Sequence, residues 1–243
     1  GLRQHSVDGD PDGPRCWSPS RLMQPELCPP QQQVRTLQVA LERQAPGQRP
    51  GYASSIATTS LGPPVLKHWC VWVQPAAATP ANRWDQRWLD QVSSALTTWG
   101  ELVPFTLVDS PDQANVLIHR QRPARRQVAG VWRASNGRTQ LQVVDVQRQG
   151  RLKLEPLVKV MVSPGLRAEA LQATALHELG HAFGLWGHSS VPTDVLATSQ
   201  GERPVLVPSQ RDRLTLAWVM QQPTRFGSTI QQPSDPVKSE SPE

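Results

Sequence analysis

With 243 residues the chain can hold one domain of ordinary size plus extensions. Its formal net charge is +5, arginine far outnumbers lysine, and no run approaches the ~18 consecutive apolar residues of a membrane-spanning helix. Three cysteines (Cys16, Cys28, Cys70), none in a CxxC pair, are too few for a disulfide framework, and their odd number neither demands nor forbids an oxidising compartment.

Residues 1–64 are rich in Pro, Gln, Ser and Gly and read as an extension or propeptide-like segment that cannot build a core alone. Within it only Val34 to Arg43 carries a helical pattern, with Val34, Leu37 and Leu41 at i, i+3 and i+7. From Leu66 the character changes. Leu66 to Val73 is a dense apolar strand ended by Gln74-Pro75, and Arg83 to Trp99 is a helix. Trp84, Trp88 and Trp99 are expected on that helix's core face. Strands follow at Phe105 to Val108 and Asn115 to His119. Gly130 to Ala134 and Arg138 to Val146 flank Asn136-Gly137, a strong hairpin signal. Val158 to Val162 is a further strand, and Ser163-Pro164 can cap and start a helix running from Leu166 to about Phe183. A last helix spans about Ser209 to Gln221, capped by Ser209, with Leu214, Ala217, Trp218 and Gln221 along one side. The order implies a mixed sheet with helices on one side, an α/β or α+β domain over residues 65–222. Residues 223–243 form a polar tail expected to be disordered.

The most informative stretch is His177-Glu178-Leu179-Gly180-His181-Ala182-Phe183-Gly184-Leu185-Trp186-Gly187-His188. On a helix, His177 and His181 share one face and can reach a single metal ion. Glu178 sits one step round, close enough to touch a water on that metal without ligating it. Gly184 lets the helix stop, and His188 arrives within a loop-sized distance. Three neutral imidazoles leave a fourth tetrahedral position open, as a catalytic zinc requires.

This stretch resembles the zinc signature HExxHxxGxxH of the metzincin peptidases, and Ser189-Ser190-Val191-Pro192 is similar to the matrixin (matrix metalloproteinase) branch. Ala114-Asn115-Val116-Leu117-Ile118 adds to the likeness, which covers roughly Leu66 to Gln221. Two positions depart from the pattern. The third histidine is His188, one residue late, with Gly187 at the family's place. Leu196 stands where the family has a methionine beneath the metal, an exchange of similar volume that typically costs under ~1.5 kcal/mol. The resemblance implies a zincin-like fold: a twisted mixed sheet of about five strands, two long helices including the active-site helix, and a small irregular lower part closed by a C-terminal helix. It further implies a zinc-dependent endopeptidase with one catalytic Zn²⁺ held by His177, His181 and His188. Glu178 would be the general base activating water on the metal, with Gly184 and Leu196 as supports. Tyr52 is the only tyrosine and lies far upstream, so a tyrosinate ligand after the turn is not expected.

Pro14-Arg15-Cys16-Trp17-Ser18-Pro19 resembles the family's latency motif, in which a propeptide cysteine occupies the open zinc position. Cys16 as such a ligand, a Cys16 to Cys28 disulfide, and an unremarkable free cysteine all remain open. Between His119 and Arg138 lie Arg120, Arg122, Arg125, Arg126, Arg133 and Arg138 with no acid among them. That stretch is either a solvated loop or a basic rim favouring acidic peptides or anionic surfaces. The rim of a peptide cleft could be the expected hairpin or Val158 to Val162. The expected partners are a peptide or protein substrate and no nucleic acid, for a monomer that is secreted or in the cell envelope, although no signal peptide is visible. The competing reading is a catalytically silent zinc-containing domain that binds peptides or envelope components.

Overall fold

A computed structural model describes residues 27–199 and 201–231. In chain order the strands are β1 (Gln31–Leu37), β2 (Trp69–Val73), β3 (Phe105–Val108), β4 (Val116–Arg120), β5 (Arg126–Val128), β6 (Val131–Arg133), β7 (Gly137–Arg148), β8 (Arg151–Val162) and β9 (Thr229–Ile230). The helices are α1 (Arg83–Gly100), between β2 and β3, then α2 (Ala168–Ala182) and α3 (Gln210–Gln221). The strands build a seven-stranded mixed sheet in the order β1-β7-β8-β4-β2-β3, with β9 paired to the start of β8, and β5-β6 form a separate hairpin. Among the described residues, no helix is long and apolar enough to cross a membrane.

The mixed α/β architecture matches the expectation, with more strands than the five anticipated. β2, β3, β4, β7 and β8 are anticipated strands; the anticipated Gly130 to Ala134 strand forms as β6 but pairs with β5 rather than β7, and β1 and β9 are additions, β9 coming from the stretch expected to be a disordered tail. β2, β3, β4 and β8 run parallel, which buries Val71, Val116, Ile118, Val158, Val160 and Val162 against α1 and α2. Two indoles fasten the helix layer. Trp88 donates through Nε1 to the Val162 carbonyl at 3.1 Å, and Trp99 donates to the Leu176 carbonyl of α2 at 2.9 Å.

Several local expectations are corrected. Val34 to Arg43 is not helical: β1 pairs antiparallel with β7, and only Leu37 of its apolar residues is buried, so the 3.6-residue spacing was accidental. Downstream of β1, Tyr52 and Ile56 enter the main core. Asn136-Gly137 is not a turn, because Gly137 pairs with Val162 and Asn136 accepts from the Ser163 N–H at 2.8 Å. The hairpin turns fall instead at Ala129-Gly130 (φ 51° and 78°) and Gln149-Gly150 (φ 49° and 74°), where both central residues take positive φ as tight two-residue turns require. That same ladder holds Ser163 in the sheet, so α2 is preceded by Arg167 and has no side-chain cap. Trp84 is 50% exposed, and its ring is approached by the Arg83 and Arg87 guanidiniums rather than buried in the core. The buried side of α3 is Asp212, Thr215, Leu216 and Val219, one step round from the expected stripe, because its two polar members are hydrogen-bonded inside.

Cys28 and Cys70 form a disulfide that ties the chain before β1 to β2 across 42 residues. This excludes the Cys16 to Cys28 pairing; Cys16 as a metal ligand lies outside the described residues. Beside the disulfide, Asn115 accepts from Cys70 N–H and donates to Glu155, which also pairs with buried Arg148. Closing a loop of this length restricts the unfolded chain, so replacing both cysteines by serine should lower stability by ~2–4 kcal/mol in a urea titration followed by tryptophan fluorescence. An unchanged midpoint would contradict the assignment.

Candidate metal centre

One helical turn of α2 places His177 and His181 side by side, and their Nε2 atoms lie 3.2 Å apart. Each Nδ1 faces a backbone carbonyl: His177 donates to Val195 O at 2.8 Å and His181 to Leu185 O at 2.6 Å. A carbonyl can only accept, so both protons sit on Nδ1 and both Nε2 lone pairs face each other. Two ligands at ~2.0–2.1 Å from one tetrahedral zinc have their nitrogens ~3.3 Å apart, so the spacing suits a shared cation. The His188 ring lies 5.4 Å from that of His177 and 4.9 Å from that of His181, and the ligand atoms of all three fall within 4.8 Å of one another. Burial drives His177 down to about 4, with the Val195 hydrogen bond opposing, and drives His181 to about 3, helped by His177. Burial also lowers His188. All three are therefore neutral near pH 7, the form that binds metal.

The loop before His188 is tightly wound. Gly184 takes φ +127°, and two successive tight backbone bonds follow, Trp186 N–H to Gly184 O and Gly187 N–H to Leu185 O. Ala57 donates to the Trp186 carbonyl at 2.8 Å, and a Cβ on residue 187 would lie 2.0 Å from Ser55 O. Only glycine fits there, so the segment around Ser55 to Ala57 seats the loop that delivers His188.

Below α2 the chain from Ser189 to Thr198 folds back on itself, Ser189 bonding Leu196 O and Thr198 N–H returning to Ser189 O. Leu196 is fully buried and fills the space beside Gly180, which lies between His177 and His181 in the helix. Two buried carboxylates hold this loop. Asp194 accepts from Ser189 Oγ at 2.5 Å, Ser209 Oγ at 2.6 Å and Arg211 Nε at 3.0 Å. Asp212 accepts from Val195 N–H at 2.9 Å, Ser209 N–H at 2.7 Å and Tyr52 hydroxyl at 2.5 Å. The peptide pinned by Asp212 is thus flanked by the carbonyl that orients His177.

Glu178 is 8% exposed and is not one of the converging donors. Thr139 of β7 donates to its Oε2 at 2.5 Å. Burial lifts its carboxyl to about 7, while Thr139, Arg138 and Arg126 pull the other way. Gly137 makes the approach possible, since a Cβ there would meet Glu178 Cγ at 2.7 Å. The rim beside Glu178 is the first half of β7, the second arm of the expected hairpin, whereas Val158 to Val162 lies inside the sheet between β7 and β4. β1 covers β7 only from Val143 to Arg148, so Gly137 to Gln142 is an open strand edge among the described residues.

The chain is a mixed α/β protein with a histidine triad able to bind a metal ion. No protein-family model and no curated protein matches it. His177, His181, His188, Glu178, Gly184 and Leu196 all assemble at this centre. Thr139 and Asp212 went unread in the sequence, Gly137 was read only as a turn residue and Tyr52 only as a tyrosine that does not ligate; the only signal for Asp212 was Ser209 three residues before it, a capping-box spacing that the structure contains.

Burial raises the Asp194 carboxyl, but its three donors outweigh that and hold it below the ordinary 3.8. A lowered folded pKa stabilises above the unfolded value and loses that contribution as pH falls through the folded one. Asp194→Asn should therefore cost roughly 1.5–3 kcal/mol near pH 7, with the gap to wild type closing below about pH 4 in denaturation curves. A gap that does not depend on pH would count against these bonds being ionic.

Proposed function

We propose that the chain is a zinc-dependent endopeptidase, with His177, His181 and His188 holding the ion and Glu178 acting as general base. The observation that carries this reading is the position of Glu178: next to a ligand, buried, uncommitted to the donor cluster, and set against an open strand edge. The donor set fits the metal, since three neutral nitrogens suit zinc and leave one tetrahedral position free. A zinc ion bound there supplies Lewis acidity toward water and toward the scissile carbonyl.

The remaining chemistry belongs to the chain. An extended substrate adds itself as a strand along Gly137 to Gln142, so its backbone is held by main-chain hydrogen bonds whatever its sequence. Burial weakens the charged form of Glu178 and makes it a better proton acceptor near neutrality, while Thr139 fixes the carboxylate's orientation. Glu178 takes a proton from the attacking water and delivers it to the departing amide nitrogen. The carbonyls of Val195 and Leu185 keep the imidazoles from turning.

Glu178→Gln preserves shape and removes the base. The variant should bind one zinc per chain as wild type does, and lose ~10²–10⁴-fold in hydrolysis of a peptide library that a hydroxamate blocks in the wild type. Cleavage by the variant at the wild-type rate would remove Glu178 from the role.

A further inference from the structure

On the open half of β7, side chains alternate. Gly137 and Thr139 face α2 and Glu178, so Arg138 and Gln140 face the other side of the sheet. Arg138 donates through Nη2 to the Ala124 carbonyl at 2.7 Å, which holds its guanidinium beside the strand edge. It has no carboxylate partner within ion-pair distance among the described residues, and neither do the exposed Arg122 and Arg125 of the loop after β4 or Arg126 and Arg133 of the β5-β6 hairpin. The chain carries no Asp or Glu between Asp112 and Asp145. The roof of the cleft is a concentration of positive charge with no ion-pair partner among the described residues, and Arg138, the arginine on the edge strand itself, stands on the face opposite Gly137 and Thr139.

Directly opposed residues on neighbouring antiparallel strands point to the same face. A peptide laid along β7 therefore alternates as β7 does, sending one side chain toward α2 and the next toward Arg138. Resting on the peptidase reading above, we infer that this cleft selects substrates with an acidic residue at the position opposite Arg138, and rejects acids at the two adjoining positions. The adjoining side chains meet the carboxylate of Glu178 instead of a guanidinium. An opposite-charge cross-strand pair gives roughly a 1.4- to 5-fold preference, which salt screens because Arg138 is only half-buried. The loop arginines strengthen the field at the same mouth and raise the encounter rate of acidic chains.

The test uses the zinc-loaded full chain and peptides in which Glu, Gln or Lys is scanned through each position around the cleaved bond. The expected result is a Glu-over-Gln-over-Lys order of kcat/KM at one position, the reverse order at its neighbours, and convergence of the three rates in high salt. Arg138→Glu should invert the order at that position to favour Lys. Cleavage of all three peptides at equal rates, or an order that Arg138→Glu leaves unchanged, overturns the inference while the peptidase reading stands. No cleavage of any peptide overturns the peptidase reading, and this inference with it.

Discussion

Two desolvated imidazoles with Nε2 atoms 3.2 Å apart set the conditions that the rest of the structure satisfies. Facing lone pairs at that distance repel unless a cation lies between them. Rings that could rotate would relieve the repulsion by turning away. Each ring is denied that rotation by a carbonyl on its far nitrogen, one from the loop after α2 and one from the turn beneath it. Because burial keeps both rings neutral, their charge state does not compete with a metal near neutrality.

The carbonyls must themselves be held, and that requirement reaches across the chain. Val195 is fastened by Asp212 from α3, and Asp212 is completed by the Tyr52 hydroxyl. Burial and the hydrogen bond to Asp212 push that hydroxyl's pKa upward, so it stays a donor. Tyr52 N–H also bonds Thr215, and Ala57 seats the stretch leading to His188. A segment with the composition of a linker thus acts as a brace between α3 and the loop that carries His188. On the other side of α2, the sheet supplies a strand whose glycine admits Glu178 and whose threonine orients it.

The histidine triad was legible in the sequence because helical geometry turns an i, i+4 spacing into proximity, and because Gly184 and His188 complete the set within one loop. The five central strands and three helices were legible from dense apolar runs and tryptophan spacing. What was not legible follows from partners distant in sequence. Val34, Leu37 and Leu41 imitate a helix face, yet the backbone from Gln31 to Leu37 pairs with residues more than a hundred positions away. Asn136-Gly137 has the chemistry of a turn, but this glycine is needed for close approach to Glu178, and the turns fall where less obvious residues tolerate positive φ. The inner side of α3 escaped an apolar count because Asp212 and Thr215 are buried for their hydrogen bonds. Backbone carbonyls such as Leu185 O and Val195 O leave no mark in a sequence at all.

The central claim is that three imidazole nitrogens surround one divalent cation. X-ray absorption at the zinc edge of the metal-loaded protein tests it most directly. The account predicts a shell of nitrogen and oxygen at ~2.0–2.1 Å with the outer-ring scattering of three imidazoles and no sulfur. A sulfur shell near ~2.3 Å, or fewer than three imidazoles, would contradict it.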